Sequence, residues 1–312
     1  MKKQKVYLAS PLYQPTQKEL ENTYDVYHLE EAAALINSAV CEVIVSSSGY
    51  RIDAATLAKF PTVKLVANFG TGVDLIDLNY CLEHDIAVSH TPGVLTEDVA
   101  DLALTLILTT LRKVVAADRF ARKERWLKQQ FGLTRSVRGL NVGIIGMGEI
   151  GREVARLCTA FGTEIGYFGP HRKPVDYTYF PELKGLAGWA DVLVVACPGG
   201  ESTQGLVSAS ILDELGPQGI LINIARGSVV DELALVERLV SGTIAGAGLD
   251  VFADEPHIPE QLRTLDNVVL QPHLGSATDR TRRKMGNLTL DNVAAYFEGR
   301  PLITPFNLKH PL

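Results

Sequence analysis

The stretch Asn141–Gly162, "NVGIIGMGEIGREVARLCTAFG", decides the fold. An apolar, strand-like run feeds Gly146-x-Gly148-x-x-Gly151, after which Ile150, Val154, Leu157, Cys158 and Phe161 mark one face of a helix. In a strand–loop–helix of this kind Gly146 allows the tight turn, Gly148 lets backbone approach a pyrophosphate, and Gly151 lets helix and strand pack closely. The N–H groups around Met147, Glu149 and Ile150, at the helix start, would aim at phosphate. A lone glycine motif says little. Here an apolar strand leads in, a helix leads out and a further α/β series follows, so a dinucleotide site is the expectation.

That series continues with the apolar runs "EIGYFG", "DVLVVAC", "GILINIA", "AGAGLDVF" and "NVVLQPH", giving six strands with the first, the count of a doubly wound dinucleotide fold. Their Val/Ile/Leu-rich continuity suits strands buried on both faces. Upstream, "KVYLAS", "DVYHL", "CEVIVSS", "VKLVANFG" and "IAVSH" alternate with helix-compatible stretches such as 29–39 and "DAATLAKF", predicting a second, smaller parallel α/β domain. Between the two, "DVADLALTLILTTLRKVVAADRFARK" predicts one uninterrupted helix over 98–123, without Gly or Pro. Near the end of the chain, "RTRRKMGNLTLDNVAAYFEG" predicts a helix stopped by Gly299.

The composition suits a two-domain globular chain: 312 residues, 46% hydrophobic and 21% charged. A net charge of −6 without a sustained basic run argues against nucleic acid as a partner, since phosphate neutralisation needs a cationic face. No apolar run is long enough for a bilayer, and the apolar run after the N-terminal lysines is too short for a secretion signal. Cys41, Cys81, Cys158 and Cys197 show neither metal nor disulfide spacing; they read as free thiols, mostly buried, of a cytoplasmic protein, and no metal is expected.

Ligands of open α/β sheets collect at the carboxyl ends of the strands, so the residues after each run matter. Arg226 follows "GILINIA", Asp250 follows "AGAGL" with Glu255 a few residues on, and His273 follows "NVVLQP". A guanidinium, carboxylates and an imidazole at one edge suit hydride transfer to a 2-keto acid. The arginine can hold a substrate carboxylate with a forked donor. The histidine can protonate a forming alkoxide, and a carboxylate behind it favours the imidazolium. His257 is the nearest competitor to His273, and His28, His84, His90 and His310 are expected to be structural.

With these residues in view, "VGIIGMGEIG", "LINIARGSVVDE", "AGAGLDVFADEP" and "NVVLQPHLGSAT" resemble the D-isomer-specific 2-hydroxyacid dehydrogenases, and among them the glyoxylate/hydroxypyruvate and hydroxyphenylpyruvate reductases. The resemblance implies a Rossmann-type dinucleotide-binding domain, 99–278, inserted in a discontinuous flavodoxin-like substrate domain, 1–98 and 279–312, whose closure excludes water from the hydride path. It implies Arg226 as substrate-binding arginine, Glu255 as the glutamate paired with histidine, and His273 as proton donor. Asp250 would hold the nicotinamide carboxamide. Ile224, Ala225, Pro198 and Gly275 would line the cofactor. Thr71 and Gly72 of "NFGTGVD" would bind the substrate carboxylate through backbone N–H groups, which form an anion nest, and Tyr50 would lie beside the substrate side chain. The family also implies a homodimer, with Trp126 near the partner's active site. Two departures stand out: Gly199-Gly200, which loosens the loop after Pro198, and Glu149, an acid where the family favours a base.

In "YFGPHRKP" the second strand of the nucleotide domain ends at Gly169, 18 residues past Gly151, where an NAD site usually carries an acid for the ribose 2′-OH. Gly169 removes that acid, while His171, Arg172 and Lys173 can pair with a 2′-phosphate. NADPH is therefore the expected cofactor, with NADH as a second. Two other readings stay open: an NAD-dependent D-2-hydroxyacid or phosphite dehydrogenase, and a cofactor-sensing binding protein of the corepressor kind.

Overall fold

The computed structural model describes residues 3–28 and 41–308. The helix-compatible stretch 29–39 and His310 lie outside the described residues. The chain divides into two compact units, Met1–Leu95 with Ala277–Leu312, and Thr96–Ser276.

In the first unit, five parallel strands are β1 (Lys5–Leu8), β2 (Asp25–His28), β3 (Val43–Ser47), β4 (Leu65–Phe69) and β5 (Ala87–Ser89). Their order β2-β1-β3-β4-β5 is that of flavodoxin-like sheets. Register explains why these runs are apolar throughout. Tyr7 faces Ile44, and Ile44 faces Val66, in a row on one face. Val6, Val43 and Leu65 form the row on the other. Both rows are buried, each in its own core cluster. The described helices are α1 (Gln14–Thr23), α2 (Ala54–Leu57), α3 (Leu78–Glu83) and, from the C-terminal segment, a long helix at Asp279–Phe297. That last helix is capped by the Thr278 hydroxyl, which accepts from Thr281 N–H, and Gly299 follows it at φ +66°. Its small Gly286 lies against Thr16 of α1.

In the second unit, the sheet has seven strands rather than six. They are β6 (Asn141–Ile145), β7 (Glu164–Phe168), β8 (Thr178–Phe180), β9 (Val192–Val195), β10 (Ile220–Asn223), β11 (Gly246–Leu249) and β12 (Val268–Leu270). The order β12-β11-β10-β9-β6-β7-β8 is the doubly wound arrangement with one strand added beyond the sixth. The unexpected member is β8: three residues at the sheet edge, pairing only with β7, too short to show a pattern. The expected helix over 98–123 is two helices, α4 (Thr96–Leu111) and α5 (Val114–Arg122). Lys113, at φ +49°, breaks the run. The buried stripe of α4, from Val99 to Leu111, ends at the break, and α5 buries none of its residues. The remaining helices are α6 (Glu149–Ala160), α7 (Leu183–Trp189), α8 (Ala209–Leu215), α9 (Glu232–Ser241) and α10 (Glu260–Thr264), and the C-terminal helix is α11.

Cys41, Cys81 and Cys158 are buried and Cys197 half-buried, all as free thiols. Burial pushes the first three up to about 12 and Cys197 to about 11, so all stay protonated and unreactive at neutral pH. No helix among the described residues is long and apolar enough to cross a membrane.

Candidate active site

Order reverses in the second sheet between β6 and β9, and the glycine loop sits at that switch. Gly146 has φ +98°, and a Cβ there would lie 2.7 Å from the backbone of Cys197. Gly151 is held just as closely: its Cβ would meet the Gly146 carbonyl oxygen at 2.0 Å. Gly148 differs, for a Cβ there would meet nothing within 4 Å. Protein packing explains two glycines; the third leaves open space at the N-terminus of α6, which no side chain caps. That combination fits a pyrophosphate resting on free N–H groups. Met147 is buried under the loop, and Ile150 is half-buried. Glu149 is exposed in the first turn of α6 and accepts a hydrogen bond from the Thr96 hydroxyl at 3.4 Å. An acid there complements the helix dipole, which accounts for the departure.

The basic loop after β7 is held by its main chain. The wholly buried Tyr167 hydroxyl accepts from Lys173 N–H at 2.8 Å and donates to the Lys173 carbonyl at 3.2 Å. The Tyr179 hydroxyl donates to the Gly169 carbonyl at 3.1 Å. His171, Arg172 and Lys173 are thereby exposed, and among the described residues their side chains form no ion pair. Arg172 lines a cavity of about 570 Å³ with Val175, Asp176, Tyr177, Thr178 and Tyr179. On the neighbouring loop, the Thr203 hydroxyl donates to the Pro198 carbonyl at 2.7 Å, tying together the segment that carries Gly199-Gly200.

At the far strand ends the polar residues converge. Asn223, buried at the end of β10, shapes the next turn: its Oδ1 accepts from Ala225 N–H and its Nδ2 donates to the Arg226 carbonyl. Ile224 and Ala225 are buried, while Arg226 is half-buried and donates from Nη1 to the Ala225 carbonyl at 2.8 Å. Asp250, 1% exposed, accepts from Leu274 N–H at 2.6 Å and from Gly275 N–H at 2.9 Å. Just before them in the chain, His273 adopts φ +55°, an uncommon conformation for histidine, and its N–H donates to the Asp250 carbonyl. Asp250 thus binds three successive N–H groups of the turn that presents His273. Burial raises the Asp250 carboxyl above its usual range, against the two N–H bonds and the His273 charge.

His273 Nδ1 lies 2.7 Å from Glu255 Oε2, and Glu255 Oε1 accepts from Phe252 N–H. Burial pushes the Glu255 carboxyl up, but the hydrogen bond and charge of His273, the Phe252 N–H and Arg226 outweigh it and hold the group below its ordinary range. Glu255 is therefore ionised beside the imidazole. His257, the competitor, is exposed and lies 3.5 Å from an equally exposed Asp254. His84 stacks on Tyr80, and His90 meets Phe306 edge-on with Nδ1 3.0 Å from the Thr71 carbonyl oxygen.

In the first unit, the loop after β4 carries Thr71 and Gly72, both half-buried. Asn68, buried, donates from Nδ2 to the Gly70 and Gly72 carbonyls at 3.0 and 2.9 Å. The Thr71 hydroxyl donates to the Thr91 carbonyl. Gly70 N–H donates to the Asn68 carbonyl, while the Thr71 and Gly72 N–H groups have no acceptor among the described residues, as an anion nest requires. Tyr50, 39% exposed, sits on the loop after β3.

Comparison with known proteins adds to this geometry. Residues 104–275 match the model of the D-isomer specific 2-hydroxyacid dehydrogenase NAD binding domain. The chain belongs to that family. Glyoxylate/hydroxypyruvate reductase A HPR2 of Arabidopsis thaliana is 42% identical over 96% of this chain and 98% of its own. Hydroxyphenylpyruvate reductase of Plectranthus scutellarioides is 41% identical over the same shares. An NADPH-dependent glyoxylate/hydroxypyruvate reductase of Sinorhizobium meliloti, solved with NADP and malonate, is 40% identical. It superposes with a TM-score of 0.92, covering 98% of this chain and 97% of that one.

For this 2-hydroxyacid dehydrogenase, the structure brings Arg226, Asp250, Glu255, His273 and Gly275 to the carboxyl ends of β10, β11 and β12, in the sheet that also carries the glycine loop. Sequence reasoning missed the residues that hold each loop in place: Asn223 at the Arg226 turn, Tyr167 and Tyr179 at the basic loop, and Asn68 at the Thr71–Gly72 loop of the first unit. An asparagine ending a strand before a turn is the one available signal, because its side chain can close a turn on its own backbone. The tyrosines gave none.

Proposed function

We propose that the protein reduces 2-keto acids to 2-hydroxy acids with NADPH as preferred cofactor. The 2.7 Å pair of His273 with an ionised Glu255 carries this reading. A histidine fixed through Nδ1 on a carboxylate is oriented to pass a proton from Nε2.

The open space at Gly148, the uncapped start of α6 and the unpaired basic loop fit a phosphorylated dinucleotide. Gly146 to Gly151 would hold its pyrophosphate, and Arg172, with Lys173 and His171, its 2′-phosphate. Ile224, Ala225, Pro198 and Gly275 would line it, and Asp250 would accept from its carboxamide. Bound there, the reduced cofactor supplies a hydride. Arg226 would hold the substrate carboxylate and draw charge onto the keto oxygen. In the first unit, the Thr71 and Gly72 N–H groups would serve as carboxylate donors. His273 protonates the oxygen as it becomes an alkoxide, while Glu255 keeps the imidazole oriented. The discontinuous first unit would serve as the substrate domain, with Tyr50 beside the substrate side chain.

The names of relatives support glyoxylate, hydroxypyruvate or an aryl pyruvate as the substrate. We also read the protein as a homodimer: Trp126 and Leu127 are 66% and 82% exposed, Leu133 fully so, and α5 buries nothing. Such an apolar arm suits a partner subunit. The test is loss of reduced-cofactor absorbance with a panel of 2-keto acids, run with NADPH and NADH in parallel. Turnover with none of them would favour a sensing role; equal turnover with both cofactors would remove the NADPH preference.

A further inference from the structure

Two arginines follow one another in the first turn of α11 and have opposite surroundings. Arg283 is exposed and paired with Asp279 at 2.8 Å, and Asp279 also accepts from the Tyr13 hydroxyl. Arg282 is half-buried, and among the described residues its guanidinium has neither a carboxylate nor a hydrogen-bond acceptor. It lies instead over the ring of Phe69, 5.7 Å from the centroid. Burial is accordingly the one influence on the group, drawing it below the usual arginine range.

This placement is costly on two counts. A desolvated cation without a partner is among the least favourable side-chain environments. The N-terminal turn of a helix already carries positive partial charge, so a cation there is disfavoured further. The face of the ring beneath offsets only part of that cost. An anion supplied from outside the protein would resolve the imbalance.

Phe69 is the last residue of β4 and leads directly into Gly70, Thr71 and Gly72. Two buried polar atoms beside the same loop also lack partners, Asn68 Oδ1 and Thr91 Oγ1. Thr91 N–H donates to the Gly70 carbonyl, and Asn68 Nδ2 to Gly70 and Gly72, so both residues are built into the loop. A cation without a counter-ion and unsatisfied polar atoms thus gather around a loop that presents N–H groups. We propose that Arg282 is an anion-recognition residue of the first unit, setting the affinity of the Gly70–Gly72 loop for the carboxylate of the substrate. The proposal rests on the reductase reading for the identity of that carboxylate.

Calorimetric titration of the full chain, saturated with NADP, with malonate as the probe, tests this apart from turnover. Arg282→Met should raise the malonate Kd about tenfold or more, the loss of one charge-assisted contact. Arg282→Lys should recover part of it, and Arg282→Gln should fall near the methionine variant. Wild-type affinity should weaken with added salt more steeply than that of the methionine variant. In turnover, the same variant should raise KM for 2-keto acids with kcat changed by less than about threefold, an interaction shared by ground and transition states. Unchanged malonate affinity in Arg282→Met, or no malonate binding by the wild type, would overturn the proposal. Should the methionine variant fail to fold, equal affinities of the lysine and glutamine variants would do the same. A wild type that binds malonate but reduces no 2-keto acid would instead sink the reductase reading.

Discussion

At the scale of single residues, the strand-end groups differ in what their loss should do. Replacing His273 or Arg226 by alanine should lower kcat/KM by about 10²–10⁴ while leaving NADPH binding, measured by fluorescence titration, nearly intact. Near-normal turnover in either variant would break the assignment. Glu255 acts through His273, so its test lies in pH. Its carboxyl is held below the ordinary glutamate range. The pair therefore contributes its full stabilisation above that range and loses it as pH falls through the lowered value. Glu255→Gln removes that titration, so the decline in activity that the wild type shows on the acid side, as Glu255 takes up a proton, should be absent from the variant's pH profile. Superimposable pH profiles would contradict this. Arg172→Ala should raise the NADPH KM about tenfold, one charge-assisted bond, and leave the NADH KM unchanged.

At the scale of elements, the same glycines that were legible as a motif turn out to serve different masters. Gly146 and Gly151 are required by protein contacts, Gly148 by none. Gly151→Ala should destabilise the fold by roughly 2 kcal/mol or more, read as a lower midpoint in urea, because a methyl group cannot coexist with a carbonyl 2.0 Å away. Gly148→Ala should leave that midpoint within about 0.5 kcal/mol of wild type yet weaken cofactor binding. If Gly148→Ala bound cofactor normally, the pyrophosphate would have to rest elsewhere. Elements whose burial writes a pattern were legible: the rows of β1, β3 and β4, and the stripe of α4. The break at Lys113 was not, since Arg112-Lys113 carries no helix-breaking residue; the helix ends because its buried stripe ends. Nor was β8, a half-buried edge strand with one neighbour.

At the scale of the molecule, two parallel α/β units were legible from the alternation of apolar runs with helical stretches. The edge to search for polar residues was legible from position, because a parallel sheet returns every crossover to one edge. The flavodoxin-like order came from the family resemblance. What resisted reading was support whose geometry only folding sets: Asn68, Asn223 and Tyr167 close loops on backbone two to six residues away, and Arg282 lies over Phe69, far off in the sequence. A whole-chain consequence is ligand linkage. NADPH at a hundredfold excess over its Kd should stabilise the protein by about 2.7 kcal/mol, raising the thermal midpoint, and NADH at equal concentration by less. Equal shifts would argue that the basic loop does not discriminate. That loop also bears on how such enzymes diverge. Because Tyr167 and Tyr179 grip only main-chain atoms of Gly169 and Lys173, the side chains between them are free of structural duty. Exchanges there should shift stability by no more than about 0.5 kcal/mol. Cofactor preference is thus an evolvable trait, open to drift and selection one substitution at a time while the fold stays intact.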